Sequence, residues 1–110
     1  MTKPDFTLTT RQVDVVARPP VTVVDATGEV DSTNAATFEL ALRQVEGPRP
    51  LVTDLSRLDY IDSAGFAALD RLLADETLTI VLDGHSPIHA AAKLMNLPSY
   101  ESVAAALAAV

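Results

Sequence analysis

Strand-type and helix-type segments alternate along most of this chain, and that alternation restricts it to one broad class of fold. Phe6 to Arg11 and then Val13 to Ala17 are short β-rich runs. Pro19-Pro20 interrupts them, since neither proline can donate to a strand ladder. Val21 to Ala26 is nearly all apolar and reads as a central strand, paired antiparallel with the first across the proline step. Asp31 and Ser32 are both good N-caps, and the helix expected after them carries Ala35, Phe38, Ala41, Leu42 and Val45 on one face. Gly47-Pro48 ends that helix, and Leu51 to Leu55 is a short strand. Strands alternating with helices require parallel neighbours and right-handed crossovers.

The second half continues the pattern. Asp62-Ser63 opens a short helix whose apolar side is Ala64, Ala67, Ala68, Leu72 and Leu73, because Thr77 to Leu82 already reads as the next buried strand. Ser86-Pro87 starts a third helix with the stripe Ile88, Ala91, Ala92 and Met95, broken by Leu97-Pro98. Ser102 caps a last helix, Val103 to Ala109, too short to stand alone and so expected to pack on the sheet. The order is β-β-α-β-α-β-α-α. It predicts an α/β fold: a mixed sheet of four to five strands with about four helices packed against it.

Length and charge narrow the functions. The 110 residues fit a single domain spanning 1–110, and 48% hydrophobic content is normal for a packed core. Eight basic against 15 acidic residues give a formal charge of -7, so there is no basic field to bind nucleic acid or an anionic membrane. The absence of cysteine excludes disulfides, thiolate metal sites and cysteine nucleophiles. No apolar run is long enough to span a membrane, and Met1-Thr2-Lys3-Pro4-Asp5 reads as no signal peptide, so a cytoplasmic domain is expected.

One stretch carries more than core and solvated face: Asp54 to Gly65. A strand is expected to end at Asp54, and a loop bearing Leu58 and Ile61 to deliver Asp62-Ser63 to a helix N-terminus. Two readings stand there. Asp62-Ser63 is a capping pair. Alternatively, Ser63 lies among free N–H groups at the positive helix end and receives an anion such as phosphate. Asp59, Asp62, Glu29 and Asp31 are expected to crowd this end of the sheet, where a phosphate adds roughly -1.5 to -2 charges.

Asp54-Leu55 followed by Tyr60-Ile61-Asp62-Ser63-Ala64-Gly65 resembles the signature of the STAS domain, named for sulfate transporters and anti-sigma-factor antagonists. Gly28-Glu29-Val30-Asp31 is similar to that family's segment before its first helix. Ser86-Pro87 with Leu94-Met95-Asn96-Leu97, and Tyr100-Glu101-Ser102-Val103 with Ala106-Leu107, resemble its closing segments in order. The resemblance implies a STAS-like fold and a bacterial anti-sigma-factor antagonist without catalytic activity or cofactor. Its implied partners are an anti-sigma factor that is also a serine kinase, and a serine phosphatase. It implies Ser63 as the phosphorylated residue, with Asp31, Asp62, Ser63, Ala64, Gly65 and Phe66 as the partner-binding surface. Partner switching of this kind regulates sigma-factor-dependent transcription and stress responses. Ala64 replaces a second hydroxyl and leaves Ser63 as the acceptor; the second helix and the Pro98-Ser99 connection read as shortened.

The rivals are a STAS scaffold or small-ligand module without a switch, and an enzyme with Ser63 as nucleophile and His85 or His89 as base. A nucleotide site lacks a Gly-rich loop, and a hydrolase elbow needs glycine where Ile61 stands. A metal held by His85 and His89 lacks a third ligand. Monomer and weak dimer both fit, with the strand near Phe6 as an open edge.

Overall fold

The computed structural model describes residues 3–110; Met1 and Thr2, which open the segment read for a leader, lie outside the described residues. Strand β1 (Phe6–Val13) and strand β2 (Val21–Val30) pair antiparallel in unbroken register from Phe6↔Gly28 to Val13↔Val21. Helix α1 (Ala35–Gln44) leads to strand β3 (Leu51–Ile61), and helix α2 (Ser63–Ala74) leads to strand β4 (Leu78–Val81). Helices α3 (His89–Leu94) and α4 (Val103–Ala109) follow. The sheet runs β1-β2-β3-β4, with β2, β3 and β4 parallel. The expected element order and mixed sheet are found, with four strands and four helices among the described residues.

Each face of the sheet carries a core. On one face Val24, Ala26 and Val30 of β2 and Leu51, Leu55 and Leu58 of β3 meet Phe38 and Leu42 of α1 and Phe66, Leu69 and Leu72 of α2. On the other, Val23, Val52 and Val81 meet Ala106 of α4. Each fully buried leucine contributes about 1.5–3 kcal/mol relative to exposure. Packing therefore decides the fate of a seven-residue helix such as α4, which is too short to persist in water by propensity. Ser102 caps it as expected, its Oγ accepting the Ala105 N–H at 3.0 Å.

The largest departure from the sequence reading is β3. It runs on through Ile61 instead of ending near Asp54 in a loop. Against β2 its register slips twice, once between Asp25↔Asp54 and Thr27↔Arg57 and once between Gly28↔Leu58 and Glu29↔Tyr60. Each slip is an extra residue in β3, a bulge that resets which face the side chains take. Leu55, Leu58 and Ile61, spaced by three, consequently all reach the same core. A spacing of three does not look like a strand, which explains the expected loop.

Smaller corrections follow from local turns. β1 stops at Val13, and Val16 is almost fully exposed, so Val13 to Ala17 is not a second run of strand. β2 continues through Gly28-Glu29-Val30. Gly28 has φ +101°, and a Cβ there would meet the Asp5 carbonyl and lie 2.9 Å from Phe6 Cα. α2 is 12 residues long and buries Phe66 and Leu69, whereas Ala67 points to solvent. The Ser86-Pro87 step forms a turn, Ser86 Oγ accepting the Ile88 N–H at 3.2 Å, and α3 opens only at His89. Ile88 and Ala92 are buried, but Ala91 and Met95 are exposed. α3 ends at Leu94, so the connection to α4 is not confined to Pro98-Ser99. Within it Tyr100 pairs with Val81 and covers the outer edge of β4.

Candidate functional site

β2 and β3 stop in step, because Val30 and Ile61 are register partners. An aspartate follows each, so Asp31 and Asp62 leave the same end of the sheet on adjacent strands. Their backbones are joined there, the Asp62 N–H donating to the Val30 carbonyl at 3.2 Å.

Asp62 is the N-cap of α2. Its Oδ1 accepts the Ala64 N–H at 3.0 Å and the Gly65 N–H at 3.2 Å, while its Oδ2 accepts the Ser32 N–H at 3.1 Å. One carboxylate thus closes a helix end and holds the loop beside it. Asp31 organises that loop. Its Oδ1 accepts the Thr33 N–H at 2.8 Å and the Thr33 hydroxyl at 2.5 Å. The Thr33 hydroxyl first, and then its N–H, hold the Asp31 carboxyl below the usual range. Neither Asp31 nor Ser32 caps α1. Asn34 occupies the cap position but makes no side-chain cap bond. Its Oδ1 accepts the Asp31 N–H at 2.9 Å, and its Nδ2 donates to the carbonyls of Glu29 at 3.0 Å and Pro4 at 3.3 Å.

Ser63 is the first residue of α2 and is exposed. Three of the N–H groups expected to be free around it are not: Asp62 takes those of Ala64 and Gly65, and the Asp62 carbonyl takes that of Phe66 at 3.0 Å. A group attached to Ser63 Oγ therefore finds the N–H groups of Ala64, Gly65 and Phe66 already taken. Ala64 is half-buried against the core.

Gly65 and Phe66 belong beneath this surface and not on it. Phe66 is 3% exposed, and Gly65 is buried. A Cβ on Gly65 would lie 2.5 Å from Ile61 Cγ1 and 3.1 Å from Val30 Cγ1, so glycine lets the first turn of α2 rest on the ends of both strands. Of the six residues expected on the partner surface, Asp31, Asp62, Ser63 and Ala64 share one end of the sheet, and the other two support them.

Glu29 and Asp59 are exposed near the same strand ends. Tyr60, the register partner of Glu29, is 51% exposed; it was read as part of the signature but not among the surface residues. Its place depends on the second bulge, which sequence periodicity does not announce. The backbone of Ser32 was also missed. The Asp-x-Thr spacing from Asp31 to Thr33 is the signal that marks this turn.

His85 lies in a turn four residues before α3 begins, so it shares no helix face with His89. Among the described residues, no group of three His, Cys, Asp or Glu is placed to hold a metal ion. An open cleft of about 320 Å³ lies beside the Asp31 turn, lined by Lys3, Pro4, Asp5, Phe6, Thr33, Asn34 and Thr37. No helix among the described residues is long and apolar enough to cross a membrane.

The family model described as the STAS domain matches residues 12–81, from the end of β1 through β4. The chain belongs to the STAS domain family. The STAS match takes in both aspartate turns and the whole of α2. Among solved structures, this STAS domain is similar to the crystal structure of an anti-sigma factor antagonist from Mycobacterium paratuberculosis. The two share 31% identity over 94% of each chain, with a TM-score of 0.65. Comparison with curated proteins finds no match. The STAS resemblance read from Asp54 to Gly65 is thereby established as family membership, and the likeness to the antagonist covers more of the chain than the family match does.

Proposed function

We propose that this STAS domain is an anti-sigma-factor antagonist switched at Ser63. Unphosphorylated, it binds an anti-sigma factor that is also a serine kinase, and so frees a sigma factor for transcription. Phosphorylation of Ser63 ends the pairing, and a serine phosphatase restores it. The protein acts by binding, in the cytoplasm, with no cofactor and no direct contact with nucleic acid. The antagonist from Mycobacterium paratuberculosis, similar over nearly the whole chain, supports this reading.

The observation that carries it is the exposed Ser63 on a helix end already capped by Asp62. A phosphate there has no free helix N–H groups at Ala64 to Phe66 to fold into. It stays at the surface as bulk and as roughly -1.5 to -2 charges beside Asp62 and Asp31. A partner that fits the uncharged serine then meets both a steric and an electrostatic penalty. The capping bonds that hold α2 do not involve the serine hydroxyl, so the domain itself need not change shape.

The test is incubation with ATP and serine kinases of the anti-sigma-factor type, followed by mass spectrometry. One added phosphate is expected, absent from Ser63→Ala. If no such kinase binds or modifies the protein, the switch reading fails. Partner binding that Ser63→Glu leaves intact would favour a constitutive scaffold.

A further inference from the structure

We infer that β1 pairs edge to edge with β1 of a second copy of this chain, antiparallel, about a two-fold axis at Thr9. β1 is the outermost strand, and among the described residues no strand covers its outer side. The phase of its hydrogen bonding is set by the Glu29 N–H, which donates to the Asp5 carbonyl at 2.8 Å. Asp5 and Glu29 fall on the same register as the eight pairs from Phe6↔Gly28 to Val13↔Val21. In an antiparallel ladder, hydrogen-bonded and non-bonded pairs alternate. Thr7, Thr9, Arg11 and Val13 therefore bond to β2, and Phe6, Leu8, Thr10 and Gln12 direct their N–H and C=O groups outward. The Phe6 N–H is satisfied by Asp5 Oδ1 at 2.8 Å, leaving those of Leu8, Thr10 and Gln12 facing solvent.

The usual protections of a free edge are missing. β1 contains no proline and no lysine, and its register carries no bulge. Its one charged side chain, Arg11, is drawn along the sheet face to Asp25 at 3.4 Å.

Charge selects a second copy as the occupant. The chain carries -7 overall, but Lys3 and Arg11 offset Asp5 and Asp14, so the segment from 3 to 14 is neutral. Two copies meet here with the least repulsion. Charge also selects the register. With the axis at Thr9, Leu8 faces Thr10 of the other copy and Phe6 faces Gln12. Arg11 then lies diagonal to the other copy's Asp5. Moving the axis to Thr10 brings the two Arg11 side chains diagonal to each other. Moving it to Leu8 puts Pro4, which has no N–H, opposite Gln12. The Thr9 register makes one sheet of eight strands and leaves the Ser63 surface two strands away on each side.

Sedimentation velocity on the full chain, from low to high micromolar concentration, tests this. The mass is expected to move from monomer toward dimer as concentration rises. Thr10→Pro should stay monomeric throughout and melt like the wild type, because it removes an outward N–H and no bond to β2. In the wild type, amide exchange at Leu8, Thr10 and Gln12 should slow by about ten-fold or more at high concentration, while Thr7, Thr9 and Arg11 are protected throughout. A wild type that stays monomeric overturns the pairing, as does a folded Thr10→Pro that dimerises equally well. If Thr10→Pro fails to fold, the exchange measurement decides: fast, concentration-independent exchange at Leu8, Thr10 and Gln12 overturns it.

Discussion

Asp62 accepts the backbone N–H of Ser32 at 3.1 Å, so the residue that caps α2 also fixes the turn that follows β2. Two loops far apart in sequence are held in one geometry by one carboxylate. The surface around Ser63 is therefore a property of both.

Replacing Asp62 by alanine removes the cap and the tie together. Loss of about 1–2 kcal/mol is expected from the cap alone. Asp62→Asn keeps an acceptor at Oδ1 and should recover much of that loss. Urea unfolding of the three proteins checks the order: wild type, then Asp62→Asn, then Asp62→Ala.

Gly65→Ala is the smallest change that tests how α2 is seated. Its methyl group would press on Ile61 and Val30, both buried. Overpacking of this kind costs about 1–3 kcal/mol. Chemical denaturation should show the loss, even though the substitution raises intrinsic helix propensity.

Ser63→Glu should separate binding from stability. A negative side chain at the first helical position gains from the helix dipole and loses to Asp62 beside it. Unfolding free energy is expected within about 1 kcal/mol of the wild type. Affinity for the anti-sigma factor, measured by calorimetry, should fall about a hundredfold or more if a surface charge opposes docking.

Acid should weaken the contact between α1 and α2. Glu39 of α1 accepts from Arg71 of α2 at 2.7 Å and from Arg43 at 2.9 Å. The hydrogen bond from Arg71 and then that from Arg43, against some desolvation, hold its carboxyl below the ordinary value of 4.5. A carboxylate lowered in the folded state contributes its stability fully above the unfolded value. That contribution disappears as pH falls through the lowered folded value. Thermal melting should therefore change little with pH near neutrality, where the Glu39 contribution is fully present, and decline below about pH 4.5. Glu39→Gln should melt lower near neutrality and lose part of the acid decline.

The element order was legible because hydrophobic periodicity, proline steps and helix caps agree along the chain. The family was legible in the ordered matches around Asp62-Ser63 and Gly28 to Asp31. What was not legible depends on contacts between distant residues. The spacing of Leu55, Leu58 and Ile61 becomes strand-like only when β2 lies alongside with its own register. Asp31 and Ser32 read as caps of α1, yet Asn34 holds that position, with its side chain committed to Asp31, Glu29 and Pro4. Gly65 and Phe66 belong to a surface motif in sequence and to the core in space. Free N–H groups around Ser63 were expected from helix geometry, and the preceding aspartate had already used those of Ala64 and Gly65.

The two bulges of β3 turn the stretch from Asp54 to Asp62 into a counted length. Its chain is longer than the strand it accompanies, and the surplus is what brings Ile61 to the core and Ser63 to the surface. Removing one residue would rotate everything beyond it to the opposite side of the sheet. This stretch consequently tolerates exchange of its exposed side chains more readily than any change in their number.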